Sequence, residues 1–184
     1  MNLQEYQGKT ARFKAGDVSH KEALAVWALG IAGEAGEVAE AVVMKRKQKI
    51  GEELGDELFY VAALAGDLGL SLSEFSLNFR INFRMKFATF CNPESLVLDL
   101  SIKAARIAEL IKKNLGQGHP IKIAAVKKLL ADLLLCMAPL AAEYELTLED
   151  IAQQNIDKLT RRYPNGFSTS DSLARRDRGG WLAC

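Results

Sequence analysis

Two pairs of acids, each with its members three residues apart, mark the stretch from Ala23 to Asp56: Glu34 and Glu37, then Glu53 and Asp56. The apolar spacing around them is helical, so the stretch reads as two helices facing each other. Residues three apart on a helix share a face, and each pair can therefore point at one spot. Four carboxylates converging there would repel strongly unless a cation neutralised them. Hard oxygen donors of this kind suit magnesium, with manganese as a substitute. A lone E-x-x-E on a helix is usually a solvated charged face. Two such pairs on successive helices, set among Gly, Ala and apolar neighbours, fit a shared site better. Glu40 and Glu52 fall off the common face, with Glu52 near enough to support a ligand. The first helix also carries Gly30, Gly33 and Gly36. Each costs roughly 1 kcal/mol against alanine inside a helix. Close approach of a neighbouring backbone or a ligand to that face is the expected reason.

The elements that must position these acids can be read from their ends. Leu3 to Lys14 has near-helical apolar spacing. Ser19 and Glu22 form a capping box for the first acidic helix, which is expected to run to about Arg46. A basic turn, Lys45 to Lys49, joins it to a helix from about Ile50 to Leu68. Ser71 and Glu74 predict another helix through Phe87, with Phe79, Phe83 and Phe87 on a packed face. Asn92 and Pro93 suit an N-cap and a first helical position, opening a helix from about Glu94 to Asn114. Further helices are expected from about Ile121 to Tyr144, bent at Pro139, and from the Thr147–Asp150 cap to Tyr163. Strand signals are scarce, and the fold class is all-α. The tail from Ser168 to Cys184 reads as a loose arm.

The two halves resemble each other. GDLGLSLSEF (66–75) is similar to AEYELTLEDI (142–151), and VAEAV (38–42) to IAELI (107–111). The alignment puts Glu34 on Lys103, Glu37 on Arg106, Glu53 on Leu129 and Asp56 on Asp132. An internal duplication is the expected organisation: residues 1–91 with the acids, residues 92–167 a degenerate copy, and the tail 168–184. Lys103 and Arg106 could fill the former metal position, tied to Asp132, or be ordinary surface charges.

Composition bounds the function. Lys and Arg total 24 against 23 Asp and Glu, so no general attraction to nucleic acid or to an anionic membrane is implied. Phosphate binding would have to come from local clusters. Cys91, Cys136 and Cys184 are odd in number and widely spaced, and read as reduced thiols. The opening MNLQEYQGKTARF lacks the apolar core of a signal peptide, and no stretch is apolar long enough to span a bilayer. The expected location is the cytoplasm. His20 and His119 fall near predicted loops, where surface positions are expected.

Taken together, LGIAGEAGEVAEAV, EELGDELFYVAALAGDLGLSL, NIDKLTRRYPNGFS and the opening NLQEYQ resemble the MazG-like family of all-α nucleoside triphosphate pyrophosphohydrolases. The resemblance touches most of the chain. It implies two fused four-helix repeats packed as a pseudo-dimeric bundle, which could dimerise again. It also implies that Glu34, Glu37, Glu53 and Asp56 bind magnesium, while Asn155, Lys158 and Arg161 hold a triphosphate. The products would be a nucleoside monophosphate and pyrophosphate. Many members carry a further Glu just before the first motif acid, where this chain has Gly33, so the general base is not fixed by the motif. Glu37 is one candidate for the proton, as a water attacks in line at the α-phosphorus, and Glu53 is the other acid expected to be essential.

Lys158, Arg161 and Arg162 also suit the last turns of a helix on electrostatic grounds alone. Their counterparts in the first half are Asn82, Met85 and Lys86, and Asn155 matches Phe79. One half has kept the acids and the other the Asn and K-x-x-R pattern, which predicts one composite site. Trp27 and Phe59 offer flat faces for a nucleobase, with core packing as the plainer reading. A helical module binding a nucleotide or a protein without turnover is the rival reading. A metal-dependent nuclease ranks lower, because no broad basic groove is evident.

Overall fold

A computed structural model describes residues 1–14, 16, 18–75 and 92–175. The helix expected through Phe87, with its Phe79–Phe83–Phe87 face, lies mostly outside the described residues, as do Asn82, Met85, Lys86, Cys91 and Cys184. The elements are α1 (Leu3–Thr10) with a 3-10 turn at Ala11–Phe13, α2 (His20–Val43), α3 (Lys47–Asp67), α4 (Pro93–Gln117), α5 (Ile123–Ala142), α6 (Leu148–Arg162) and α7 (Thr169–Ala174). No strand occurs among the described residues, and the class is all-α.

The starts of the helices follow local rules. Ser19 and Glu22 close a reciprocal capping box on α2, and Thr147 and Asp150 do the same on α6. Asn92 accepts from the Ser95 amide with Pro93 at the first turn of α4. These side chains satisfy amides that the first helical turn leaves free.

Ends are less local. α2 stops at Val43 rather than Arg46, because Lys45 takes φ 54° and the Arg46 amide turns back to the Ala41 carbonyl at 2.8 Å. The turn is therefore Met44–Arg46, and the predicted basic loop is already the first turn of α3 from Lys47. α5 continues past Pro139 to Ala142. The Ser71 hydroxyl accepts from the Ser73 amide, while the Glu74 amide bonds the Ser71 carbonyl. Ser168 caps the short helix α7, so the expected loose arm is ordered over that span.

Two antiparallel hairpins, α2–α3 and α4–α5, dock mainly through α2 against α4. Buried residues of α2 recur at helical spacing: Leu24, Trp27, Ala28, Ile31, Ala35, Val38 and Val42. This is the amphipathic stripe of a packed helix. α3 is the central element, touching α1, α2, α5 and α6. Leu54, Leu58, Val61 and Leu64 on it are fully buried, in a core continuous with Leu100, Ile107, Leu130 and Leu133 of the second hairpin.

The segment after each hairpin crosses to the other. α6 packs on α3, and after the first hairpin Glu74 pairs with Lys127 of α5. The exchange brings a helix of the second half against the acidic hairpin.

Candidate metal and phosphate site

α2 and α3 run antiparallel across a three-residue turn, so their residues pair in opposite order. A Cβ on Gly30 would stand 2.3 Å from the Tyr60 ring, which fixes one rung of this register. The expected close approach to the glycine face is thus made by a side chain at Gly30. Gly33 and Gly36 face open space, where a methyl group on either would meet nothing within 4 Å.

One end of the hairpin carries the acids. Carboxylate oxygens of Glu34, Glu37 and Glu53 lie within 4.8 Å of one another. Glu53 is buried, Glu34 is half-buried and Glu37 is exposed. Asp56 lies beside this trio and bonds to α6. Its Oδ1 accepts from Asn155 Nδ2 at 3.0 Å and its Oδ2 from Lys158 Nζ at 2.5 Å. Tyr6 Oη of α1 donates to Asn155 Oδ1 at 2.7 Å, fixing which way the amide points. Lys158 also lies 3.4 Å from Glu52, and Lys49 lies 3.5 Å from Glu53. The first half's acids and the second half's Asn155 and Lys158 therefore meet.

The seam that allows this is made of small residues. A Cβ on Gly55 would stand 3.1 Å from Asn155 Cβ, and one on Gly51 would stand 2.9 Å from Leu146 Cδ1. Two glycines four apart let α6 approach α3 closely enough for Asn155 to reach Asp56.

Crowding sets the electrostatics. Burial first, then Asp56, Glu37 and Glu53, push Glu34 up to about 8, with Lys158 pulling the other way. Burial and then Glu52 and Glu37 raise Glu53. Burial outweighs the Lys158 ammonium at Asp56, which is raised as well. Glu57 is wholly buried and goes well above the usual carboxylate range through burial, then through Glu34. Such a cluster holds more negative charge than its neighbouring lysines offset. A divalent cation would relieve the deficit, and an all-oxygen donor set suits magnesium or manganese.

Beside Asp56 a cavity of about 1170 Å³ opens between the start of α3, the α5–α6 turn and α6. Lys47, Lys49, Lys158 and Arg161 lie on its walls, with Tyr144 and Gln154. Arg161 is thus placed with Lys158, as the sequence suggested. Trp27 is not brought to this site. It stands two helical turns, about 10 Å along the axis, before Glu34. Its Nε1 donates to Asp67 Oδ2 at 2.6 Å, and its ring packs on Phe59 and Tyr60.

In the second half, Lys103 pairs with Asp99 rather than Asp132, and Asp132 pairs with Lys128 at 2.6 Å. Sequence reasoning did not single out Tyr6, Lys47, Lys49 or Glu57, and the Gly51–Gly55 spacing was the signal for the α3–α6 seam.

An all-α chain with carboxylates gathered across a helical hairpin, and cations on the adjoining helix, defines a class suited to metal-assisted phosphate chemistry. The model of the MazG nucleotide pyrophosphohydrolase domain matches the chain twice, over residues 23–78 and 92–167. The chain belongs to this family, and the two matches agree with a tandem arrangement. No curated protein and no solved structure matches it. Among the described residues no helix is long and apolar enough to cross a membrane.

Proposed function

We propose that the chain is a magnesium-dependent nucleoside triphosphate pyrophosphohydrolase, yielding a nucleoside monophosphate and pyrophosphate, with manganese able to replace magnesium. The observation that carries this reading is the meeting of Glu34, Glu37 and Glu53 oxygens within 4.8 Å, next to a cavity on whose wall Lys158 and Arg161 of α6 stand with Lys47 and Lys49, among the acids Glu52, Glu143, Glu145 and Asp157. Glu34, Glu37 and Glu53 hold the cation, and Asp56 completes the acidic set from the α6 side. A divalent ion there supplies neutralisation of phosphate oxygens and Lewis acidity toward water.

The chain's own residues supply the remainder. Lys158 and Arg161, with Lys47 and Lys49, receive the triphosphate as fixed positive charge. Asn155 orients Asp56 and is itself oriented by Tyr6. Glu37, the exposed member of the trio, accepts the proton as a water forms its bond to the α-phosphorus and the bond to the pyrophosphate oxygen breaks. Glu53, buried beneath it, is the second indispensable acid. Residues 1–91 and 92–167 act as two fused repeats sharing this composite site.

The test is pyrophosphate release from a panel of ribo- and deoxyribonucleoside triphosphates, with magnesium and with chelator. Release that needs the divalent ion is expected for at least one triphosphate. No release from any of them, or release unaffected by chelation, overturns the reading.

A further inference from the structure

The turn between α5 and α6 holds a residue in a backbone conformation that its type does not favour. Glu145 takes φ 60°, in the left-handed region, where a Cβ is crowded and glycine is at ease. The turn closes α5 with a common helix stop. The Glu145 amide donates to the Ala142 carbonyl and the Leu146 amide to the Ala141 carbonyl, each at 3.1 Å. The first half has the same turn after α3: the amides of Gly69 and Leu70 donate to Gly66 and Ala65, and Gly69 sits at φ 68°. The two turns fall on each other in the repeat, GDLGL (66–70) on AEYEL (142–146). One copy fills the left-handed position with the residue that suits it, and the other with glutamate. Tyr144 likewise stands where the first copy has Leu68.

The surroundings give the substitution a use. Tyr144 and Glu145 lie on the wall of the cavity of about 1170 Å³, together with Gln154. Lys45 and Arg175 also have positive φ, and neither lines that cavity. A Cβ on Gly51 would stand 2.9 Å from Leu146 Cδ1 and 3.7 Å from Gln154 Oε1, so the turn, Gln154 and α3 meet at one place. Lys158 and Arg161 follow Gln154 on α6 by one and two helical turns, about 6 and 10 Å along the axis. A phosphate chain on those cations leaves the remainder of a nucleotide for the turn. Tyr144 offers a flat face for stacking. A carboxylate accepts hydrogen bonds and donates none. Against the pairing edge of a base it favours an exocyclic amine, as on cytosine or adenine, over the oxo group of uracil or hypoxanthine. Backbone strain of this kind is found where a side chain is needed in place.

We propose that Tyr144 and Glu145 form the base-reading end of the cavity, selecting bases that carry an exocyclic amine, and that the strain at Glu145 is retained for this purpose. The inference rests on the cavity's cations receiving a nucleotide's phosphates.

The experiment is calorimetric binding of CTP, UTP, ATP and ITP to the full-length chain in chelator, with pyrophosphate release from the same four in magnesium measured in parallel. CTP is expected to bind at least about tenfold tighter than UTP, and ATP than ITP, the scale of a hydrogen bond to a charged group. Glu145→Gln keeps the length and the strain but adds an amide donor; it should bring each pair within about threefold at unchanged Tm. Glu145→Gly should also lose the preference while raising Tm by roughly 2–4 °C, because the strain is gone. The inference is overturned by equal binding within each pair in the wild type, by no binding of any of the four, by a preference that survives in Glu145→Gln, or by a Glu145→Gly no more stable than the wild type. Release of pyrophosphate alongside any of these leaves the hydrolase function standing. Preferential binding of CTP and ATP with no release from any of the four overturns the hydrolase function and leaves the base-reading end in place.

Discussion

Replacing Glu34 by Gln should stabilise the metal-free protein at alkaline pH, although it removes a proposed metal ligand. In the fold this carboxyl is pushed from its ordinary 4.5 up to about 8, by burial and then by Asp56, Glu37 and Glu53. Unfolded, it ionises near its ordinary value. The folded state therefore favours the uncharged form. The penalty is absent below about pH 4.5, grows as pH rises toward about 8, and is constant above. At 1.36 kcal/mol per pH unit the full gap would correspond to about 5 kcal/mol. Glu34 is only half-buried, and solvent screening reduces this to about 2–3 kcal/mol. Glu34→Gln removes the charge, so in chelator at pH 8.5 the variant should exceed the wild type by that amount, or roughly 4–10 °C in Tm for a chain of this size. At pH 4.5 the two should unfold together. With magnesium at pH 8.5 the order should reverse, because the wild type gains from a cation that the variant binds poorly. Thermal unfolding followed by circular dichroism at the two pH values, with chelator and with magnesium, reads all of this. Equal destabilisation of Glu34→Gln at both pH values in chelator would show that the acids do not share a pocket.

Other perturbations separate the parts of the site. Glu53→Gln should abolish pyrophosphate release, a loss of at least about a thousandfold if both cation binding and charge are removed, while the far-ultraviolet spectrum stays that of the wild type. Lys158→Met removes the ammonium 2.5 Å from Asp56, which holds that acid down against burial; the acid limb of the rate profile should move to higher pH, and KM should rise as a phosphate contact is lost. Gly55→Ala places a methyl group 3.1 Å from Asn155 Cβ, whereas Gly33→Ala meets nothing within 4 Å. Denaturant unfolding should therefore show Gly55→Ala less stable by about 1–2 kcal/mol and Gly33→Ala more stable by about 0.5–1 kcal/mol. The opposite ranking would refute the α3–α6 seam.

The features legible in the sequence were those that short-range rules decide. Ser19, Asn92 and Thr147 announce helix starts because the cap and the amide it satisfies lie within one turn. The E-x-x-E and E-x-x-D pairs announce shared faces for the same reason. Lys47 to Lys49 looked like a loop because the sequence does not show that Lys45 adopts a left-handed backbone, which compresses the turn to Met44–Arg46. Asp56 has the spacing to join the trio, yet its oxygens are bonded by Asn155 and Lys158, about a hundred residues away. Of the three glycines in α2, Gly30 alone has a close neighbour, and which one depends on where Tyr60 falls. Residue type alone leaves Trp27 open to a base contact or to core packing, and its partner Asp67 lies at the far end of the hairpin. Glu57 drew no notice because a helix buried on most sides has no polar face for an acid to mark.

The crossing of α6 onto the first hairpin gives the chain's division of labour a physical basis. A carboxylate cluster repels itself, and a single hairpin can offset that only from its own side chains; here Lys49 is the hairpin's lysine within reach, 3.5 Å from Glu53. Lys158 comes from the other half, reaches both Asp56 and Glu52, and lowers the proton affinity of Asp56 and Glu34. Asn155, ordered by Tyr6, gives Asp56 one more fixed donor. Under the proposed composite site, a helix from the second half supplies these groups, and the second hairpin needs no acids at Lys103, Arg106 and Leu129. Lys103 pairing with Asp99, and Asp132 with Lys128, are what such a hairpin shows: charges balanced within the hairpin rather than gathered around an ion. On the proposed composite site, the asymmetry of the two halves follows from where α6 lands, since Asn155 and Lys158 are the side chains that reach the acids from it.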